Sequence, residues 1–165
     1  WVYDPGVQAL FVQVCAECTP IPRETLERAA RARAFAKGWR TMRQLLFASF
    51  DLVLHGSTRE EPMALWTRLE SATPLGHVAG SRFPASFDHI AGGYAAGYYA
   101  YQWSLAQAED LRSAFAADKL DAAVGRRYRD SVLAPGGEVP PAELMRRFLG
   151  RPASNDAYFR WLRQP

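Results

Sequence analysis

The sequence predicts an all-α fold. Apolar residues recur at helical spacing in several segments, and proline and glycine separate those segments. No stretch alternates apolar and polar residues for long enough to predict a strand. With 48% hydrophobic and 13% aromatic residues, the 165-residue chain has the composition of an ordinary globular protein. No apolar run approaches the roughly 20 residues that span a bilayer, so no membrane partner is expected.

Three helices are predicted in the first third of the chain. Asp4-Pro5 matches an N-cap followed by proline at the first helical position, and it begins a short helix that the prolines of segment 19–22 end. An alanine-rich helix with one charged side follows over 23–35. The next helix, over 39–55, is apolar around most of its girth, so we expect it to be central and buried.

Two polar features of this region are interpreted as structural. Asp51 interrupts the apolar helix, and a buried carboxylate needs a partner, which we expect to be an arginine. Cys15 and Cys18 form a Cys-x-x-Cys, but a structural zinc site normally needs a second ligand pair, and the three histidines are scattered. The cysteines are therefore expected to be two free thiols near a helix end.

The remaining helices are predicted from caps and breakers. Residues 57–60 have the spacing of a capping box that begins a helix over 62–72. Segment 73–85 is predicted to be a loop in which His77 is solvated. Further helices are expected over 95–116, 121–133, 140–149 and 155–162, the last capped by Ser154.

The run 87–103, FDHIAGGYAAGYYAYQW, carries the candidate site. Gly92 and Gly93 suit a flexible or sharply turned loop, because glycine adopts backbone angles closed to other residues. His89 lies on that loop, before the glycine pair.

Three tyrosines follow the glycine pair at helical spacing. If a helix begins near residue 95, Tyr94, Tyr98 and Tyr101 share one face at positions i, i+4 and i+7. A neutral phenol and an imidazole each donate a hydrogen bond, and such donors in a water-poor cleft form an oxyanion hole. The alternative is a tight helix-packing seam, with small residues between tyrosines whose hydroxyls find backbone partners.

The pattern Phe-x-His-x-x-Gly-Gly-Tyr-x-x-x-Tyr-Tyr-x-Tyr-x-Trp resembles the signature loop of the thimet oligopeptidase family of zinc metallopeptidases, which includes oligopeptidase A and the bacterial peptidyl-dipeptidases. Segments 1–4, 50–55, 128–137 and 147–152 also resemble family segments. The resemblance implies that residues 1–165 are a C-terminal portion of the largely helical catalytic region of a zincin-type metallopeptidase. Cys15-x-x-Cys18 and Leu105 depart from the family pattern.

The family's zinc helix, His-Glu-x-x-His, and its third ligand, a glutamate, are missing from this chain. In the family they lie just before the position of Trp1, and a chain that begins there without methionine is expected to be a piece of a longer protein. The resemblance therefore implies zinc in the full-length parent and no metal ligand in this fragment. The fragment alone is expected to be inactive.

The resemblance also implies roles for the histidine and the tyrosines. His89 and Tyr101 would donate hydrogen bonds to the tetrahedral oxyanion of peptide hydrolysis. Tyr94 would swing in on the loop to hold the substrate, and Tyr98 would lie near the substrate. The glycine pair would be the hinge and part of the substrate-binding loop.

Oligopeptides are the expected substrates, and the choice between internal cleavage and removal of C-terminal dipeptides stays open. A non-catalytic helical interaction domain derived from the family is the alternative function.

The net charge of +3 comes from arginines that alternate with acids along predicted helices, so no nucleic-acid partner is expected. A cytoplasmic location is expected. The fragment is expected to self-associate, because apolar surface normally covered in the parent would be exposed.

Overall fold

The structure, a computed structural model, describes residues 3–57 and 59–164. Within these ranges it is helical and contains no strand, which confirms the all-α prediction. None of the helices there is long and apolar enough to cross a bilayer. The α-helices are α1 Pro5–Val14, α2 Arg23–Ala34, α3 Lys37–Leu54, α4 Pro62–Ser71, α5 Phe83–Ser86, α6 Ala100–Ser113, α7 Ala122–Tyr128, α8 Pro141–Leu149 and α9 Asp156–Arg163.

Shorter helical turns complete the described structure. Asp88–Ala91 and Gly136–Glu138 are 3-10 turns, and Arg129–Leu133 forms a π-helical turn directly after α7. The chain divides into two compact units, one formed by residues 38–105 and the other by residues 3–37 with 106–164. The candidate site predicted from sequence lies entirely within the unit 38–105.

The core of unit 38–105 is aromatic. Phe50 of α3 and Trp66 of α4 are both fully buried, and their rings meet edge to face at 5.4 Å. Leu46, Phe47 and Leu65 complete the packing between the two helices. The expectation that α3 is buried around most of its girth is only partly met, because an apolar minority on its other side is exposed: Trp39, Leu45 and Leu52.

The start of α4 differs from the prediction. Glu61 is the N-cap, and its carboxylate accepts hydrogen bonds from the backbone N–H groups of Met63 at 3.0 Å and Ala64 at 2.7 Å. The helix begins at Pro62, so the residue directly before it occupies the capping position. The predicted capping box over 57–60 is therefore not the cap, and its Thr58 lies outside the described residues.

His77 is not a solvated loop residue, contrary to the prediction. Its Nδ1 lies 2.6 Å from Oε2 of Glu70, which is itself buried on α4. The same carboxylate oxygen accepts a hydrogen bond from Nε1 of Trp66 at 3.0 Å. The pairing follows from burial, because a carboxylate beneath the surface needs donors and the loop histidine supplies one.

In the other unit, the predicted start of α1 is confirmed, and the predicted state of the cysteines is wrong. The Asp4 side chain accepts hydrogen bonds from the backbone N–H groups of Gly6 at 3.0 Å and Val7 at 3.2 Å. Cys15 and Cys18 form a disulfide. Just after α1, Cys18 N–H donates to the Cys15 carbonyl at 3.1 Å, and this turn brings the two Cα atoms to 5.3 Å.

Asp110 of α6 is an almost fully buried carboxylate of this unit. Arg151 donates to both of its oxygens, at 2.6 and 3.0 Å, and the backbone N–H of Ser154 donates at 2.8 Å. Burial alone raises the pKa of Asp110, but the Arg151 and Ser154 hydrogen bonds outweigh it and hold that pKa below its usual range. The Ser154 hydroxyl accepts a hydrogen bond from Asp156 N–H at 3.1 Å, but the N-cap of α9 is Asn155 and not Ser154, so the predicted cap is one residue too early.

Candidate functional site

The predicted histidine and tyrosines meet in one cluster. The His89 ring centroid lies 4.9 Å from that of Tyr98, 5.6 Å from that of Tyr94 and 5.8 Å from that of Tyr101. We call these four residues the tyrosine cluster. His89 is carried by the 3-10 turn Asp88–Ala91, directly after the buried Phe87, whose ring lies 6.0 Å away.

One nitrogen of the cluster is buried without a partner. Nε2 of His89 is inaccessible to solvent and makes no hydrogen bond with any described residue. A buried polar atom left unsatisfied costs about 1–3 kcal/mol, so native structures keep few of them, and each calls for an explanation.

The backbone that places the tyrosines beside His89 differs from the prediction. Helix α6 begins at Ala100 and not near residue 95, so Tyr94 and Tyr98 lie in turns before it. Gly97 N–H donates to the Tyr94 carbonyl at 2.9 Å, and Ala96 has a φ of 57°, a left-handed angle that no α-helix contains. The prediction of one helical face is therefore wrong, and the turn brings the three rings together around the histidine.

Asp51 fixes this turn. Its carboxylate, fully buried on α3, accepts hydrogen bonds from the backbone N–H of Ala96 at 3.1 Å and of Tyr98 at 2.9 Å. Nδ1 of His55 lies 3.0 Å from the same carboxylate. The expectation of an arginine partner is wrong, because backbone amides and an imidazole fill that place. The only sequence signal for this role is a lone Asp on an apolar helix with a histidine four residues later.

Tyr98 differs from the other two tyrosines in its surroundings. Its ring packs edge to face on Phe47 and Phe87, and its hydroxyl is hydrogen-bonded to the side chain of Gln44. Burial raises the pKa of Tyr98, so its phenol stays protonated. Tyr94 and Tyr101 are 71% and 57% exposed, which makes their hydroxyls the more accessible to a ligand.

The glycine that this conformation requires is Gly97. A Cβ atom on Gly97 would lie 2.9 Å from the Tyr94 carbonyl oxygen, closer than real contacts allow. Gly92 and Gly93 have no left-handed φ, and a Cβ on either would meet nothing closer than 3.9 Å. The hinge role of the glycine pair stays a prediction about motion, and sequence reasoning missed the steric role of Gly97.

Alanine substitution separates the two kinds of glycine. Gly97→Ala is expected to destabilise the purified chain by about 1–3 kcal/mol, because the new methyl group displaces the Tyr94 backbone. Gly93→Ala, the matched control, is expected to be neutral or stabilising by up to about 1 kcal/mol, since it meets no atom and restricts the unfolded chain. Urea unfolding measures both changes, and equal free energies of unfolding for the two variants would contradict this account of the turn.

No set of metal ligands converges among the described residues. Across residues 3–57 and 59–164 there is no group of three or more His, Cys, Asp or Glu side chains placed to hold a metal ion. Within that part of the chain His55 and His77 are engaged by carboxylates, and His89 lies among aromatic rings. The site therefore offers hydrogen-bond donors and aromatic surface.

Comparison with known proteins identifies the class. The chain is 33% identical to oligopeptidase A of Escherichia coli and 36% identical to oligopeptidase A of Haemophilus influenzae, over 95% and 97% of its length. It is 37% identical to saccharolysin of Saccharomyces cerevisiae over 74% of its length. These alignments cover 24%, 24% and 18% of the relatives, so the chain spans about a quarter of the length of the curated relatives it matches.

The helical fold and these matches agree with a single family assignment. The model of peptidase family M3 matches residues 1–164. The chain belongs to peptidase family M3.

Proposed function

We propose that this chain is part of a zinc-dependent metallopeptidase that hydrolyses peptide bonds in oligopeptides, and that it supplies the hydrogen-bond donors for the reacting carbonyl. The observation that supports this most directly is the His89 imidazole, whose buried Nε2 lacks a partner among the described residues although three phenols surround the ring. Oligopeptidases among the relatives make peptides the expected substrate class.

His89 and Tyr101 are the proposed donors to the oxyanion. When a nucleophile adds to a peptide carbonyl, negative charge develops on the oxygen, and fixed donors in a poorly hydrated site stabilise that charge. The two ring centroids lie 5.8 Å apart, so both side chains belong to one cluster. Neither donor has to lose or gain charge to act in this way.

Tyr94 is the proposed moving part. Nε2 of His89 is buried in this conformation, so a substrate oxygen reaches it only if a neighbouring ring moves away. Tyr98 is held by Phe47, Phe87 and Gln44, whereas Tyr94 is 71% exposed and lies in a turn. We therefore assign substrate binding to Tyr94 on the loop with Gly92 and Gly93 as its hinge, and a supporting contact to Tyr98.

The zinc ligands are proposed to lie in another part of the parent protein. The described residues do not fit a zinc site, because no three potential ligands converge. The metal and the general base are assigned to the part of the parent that carries the His-Glu-x-x-His helix. A cytoplasmic location and the choice between endopeptidase and peptidyl-dipeptidase activity stay predictions.

Comparison of the purified chain with its parent tests this assignment. The chain alone is expected neither to bind zinc tightly nor to cleave peptides, whereas the full-length parent is expected to contain stoichiometric zinc and to cleave oligopeptides. Elemental analysis and a peptide-cleavage assay measure both, with Cys15→Ser and Cys18→Ser as the control for adventitious metal binding. Stoichiometric zinc in the chain that survives the cysteine changes would contradict the ligand assignment. A parent reading frame without His-Glu-x-x-His would favour the non-catalytic alternative.

A further inference from the structure

Asp51 has an environment that core packing alone does not explain. It is fully buried in an aromatic core, where a carboxylate is costly unless it is well hydrogen-bonded. Its two oxygens are used separately, Oδ1 by the backbone N–H of Ala96 and Oδ2 by the backbone N–H of Tyr98. One rigid side chain on α3 therefore holds two points of the turn that carries the tyrosines.

His55 supports the same carboxylate from one helical turn further along α3. Its Nδ1 lies 3.0 Å from Asp51 Oδ1 and 2.9 Å from the Asp51 backbone carbonyl. Because a carbonyl oxygen only accepts, Nδ1 carries the proton and donates. The imidazole thus restrains the Asp51 side chain.

The turn held in this way is not a relaxed one. Ala96 has a φ of 57°, which costs energy for a residue with a Cβ atom and persists only when neighbouring groups enforce it. The Ala96 N–H is one of the two donors to Asp51, so the carboxylate binds the strained residue directly. Release of that bond would allow the turn to relax and would move Tyr94 and Tyr98 away from His89.

We infer that Asp51, restrained by His55, is a positioning residue of the peptidase site. It fixes the turn 94–98 and so keeps the tyrosine rings beside the His89 ring. This inference rests on the proposed function of the tyrosine cluster. Asp51 acts through the backbone and touches neither substrate nor metal. A misplacement of about 1 Å in a reacting group can cost on the order of 10²-fold in rate, so loss of the hydrogen bonds to Asp51 is expected to lower kcat.

Asp51→Asn in the full-length parent is the sharpest test. The amide keeps the shape of the carboxylate but has a single acceptor oxygen, so in either orientation its NH2 group faces an N–H donor. Glu70→Gln is the matched control, because Glu70 is also a buried carboxylate of the unit 38–105 but its partners, Trp66 and His77, lie outside the turn. For each variant we would measure kcat, KM, thermal midpoint and hydrogen exchange in peptides that cover residues 94–98.

Asp51→Asn is expected to lower kcat about 10²-fold with little change in KM and to accelerate exchange at Ala96 and Tyr98. Glu70→Gln is expected to leave kcat and the hydrogen exchange of residues 94–98 unchanged, even if it lowers the thermal midpoint as much as Asp51→Asn does. His55→Ala is also expected to lower kcat, because it removes a restraint on the Asp51 side chain. Since His55 is partly exposed, this variant tests the positioning role if Asp51→Asn does not fold.

Failure of the positioning role and failure of the proposed function give different results. If Tyr101→Phe lowers kcat but Asp51→Asn and His55→Ala lower it no more than Glu70→Gln does, Asp51 is only a structural residue and the inference is overturned. If Tyr101→Phe and His89→Gln both leave kcat intact, the proposed function fails, and the positioning role fails with it.

Discussion

Tyr101→Phe in the full-length parent is expected to lower kcat by about 10²–10³-fold, with KM little changed. The substitution removes one hydroxyl, and an oxyanion donor acts mainly in the transition state, so its loss appears in kcat. One such donor is typically worth about 2.7–4 kcal/mol. Steady-state kinetics on an oligopeptide substrate measure the change.

A matched control is available two residues earlier. Tyr99 is 48% exposed and is not part of the tyrosine cluster, so Tyr99→Phe removes the same hydroxyl type from the same segment. Its kcat is expected to stay near that of the unmodified parent. If Tyr101→Phe also retained near-full kcat, Tyr101 would be a packing residue, as in the alternative interpretation of this segment.

Phe50→Ala is expected to cost the purified chain about 3–5 kcal/mol in free energy of unfolding. Phe50 is fully buried against Trp66, and truncation leaves a cavity in addition to the lost apolar contact. Urea unfolding followed by tryptophan fluorescence measures the loss, since Trp66 reports on the same core.

Leu52→Ala on the same helix is the control for this prediction. Leu52 is 45% exposed, so its truncation is expected to change the free energy of unfolding by about 0.5 kcal/mol or less. If Phe50→Ala is too unstable to purify, Phe50→Leu removes less volume and is expected to cost less than Phe50→Ala but more than Leu52→Ala. Equal losses for Phe50→Ala and Leu52→Ala would mean that the core does not lie between α3 and α4.

The parts of the fold that sequence predicts well depend on neighbouring residues. The Asp4-Pro5 start of α1 follows from capping chemistry within three residues. The helical class itself follows from the spacing of apolar residues. The sequence also predicts which aromatic residues form the site, because His89 and the three tyrosines lie in one short segment.

The parts that sequence did not predict depend on contacts between distant residues. Asp51 binds amides 45 and 47 positions further along the chain, and no local pattern indicates that a carboxylate will choose backbone N–H groups over an arginine. Helix α6 begins only at Ala100 because Ala96, whose N–H donates to Asp51, has a left-handed φ of 57° that an α-helix does not contain. The Cys15–Cys18 disulfide was missed because the spacing fits free thiols equally well.

Affinity for a tetrahedral transition-state analogue tests the central claim most directly. An oligopeptide with a phosphinic group in place of the scissile bond resembles the intermediate, and its inhibition constant is measured for the parent and for Tyr101→Phe. If the tyrosine cluster binds the oxyanion, the analogue weakens by about the same factor by which kcat/KM falls, while a substrate-like peptide inhibitor binds both proteins equally. An analogue that binds the Tyr101→Phe parent as tightly as the unmodified parent would contradict the account.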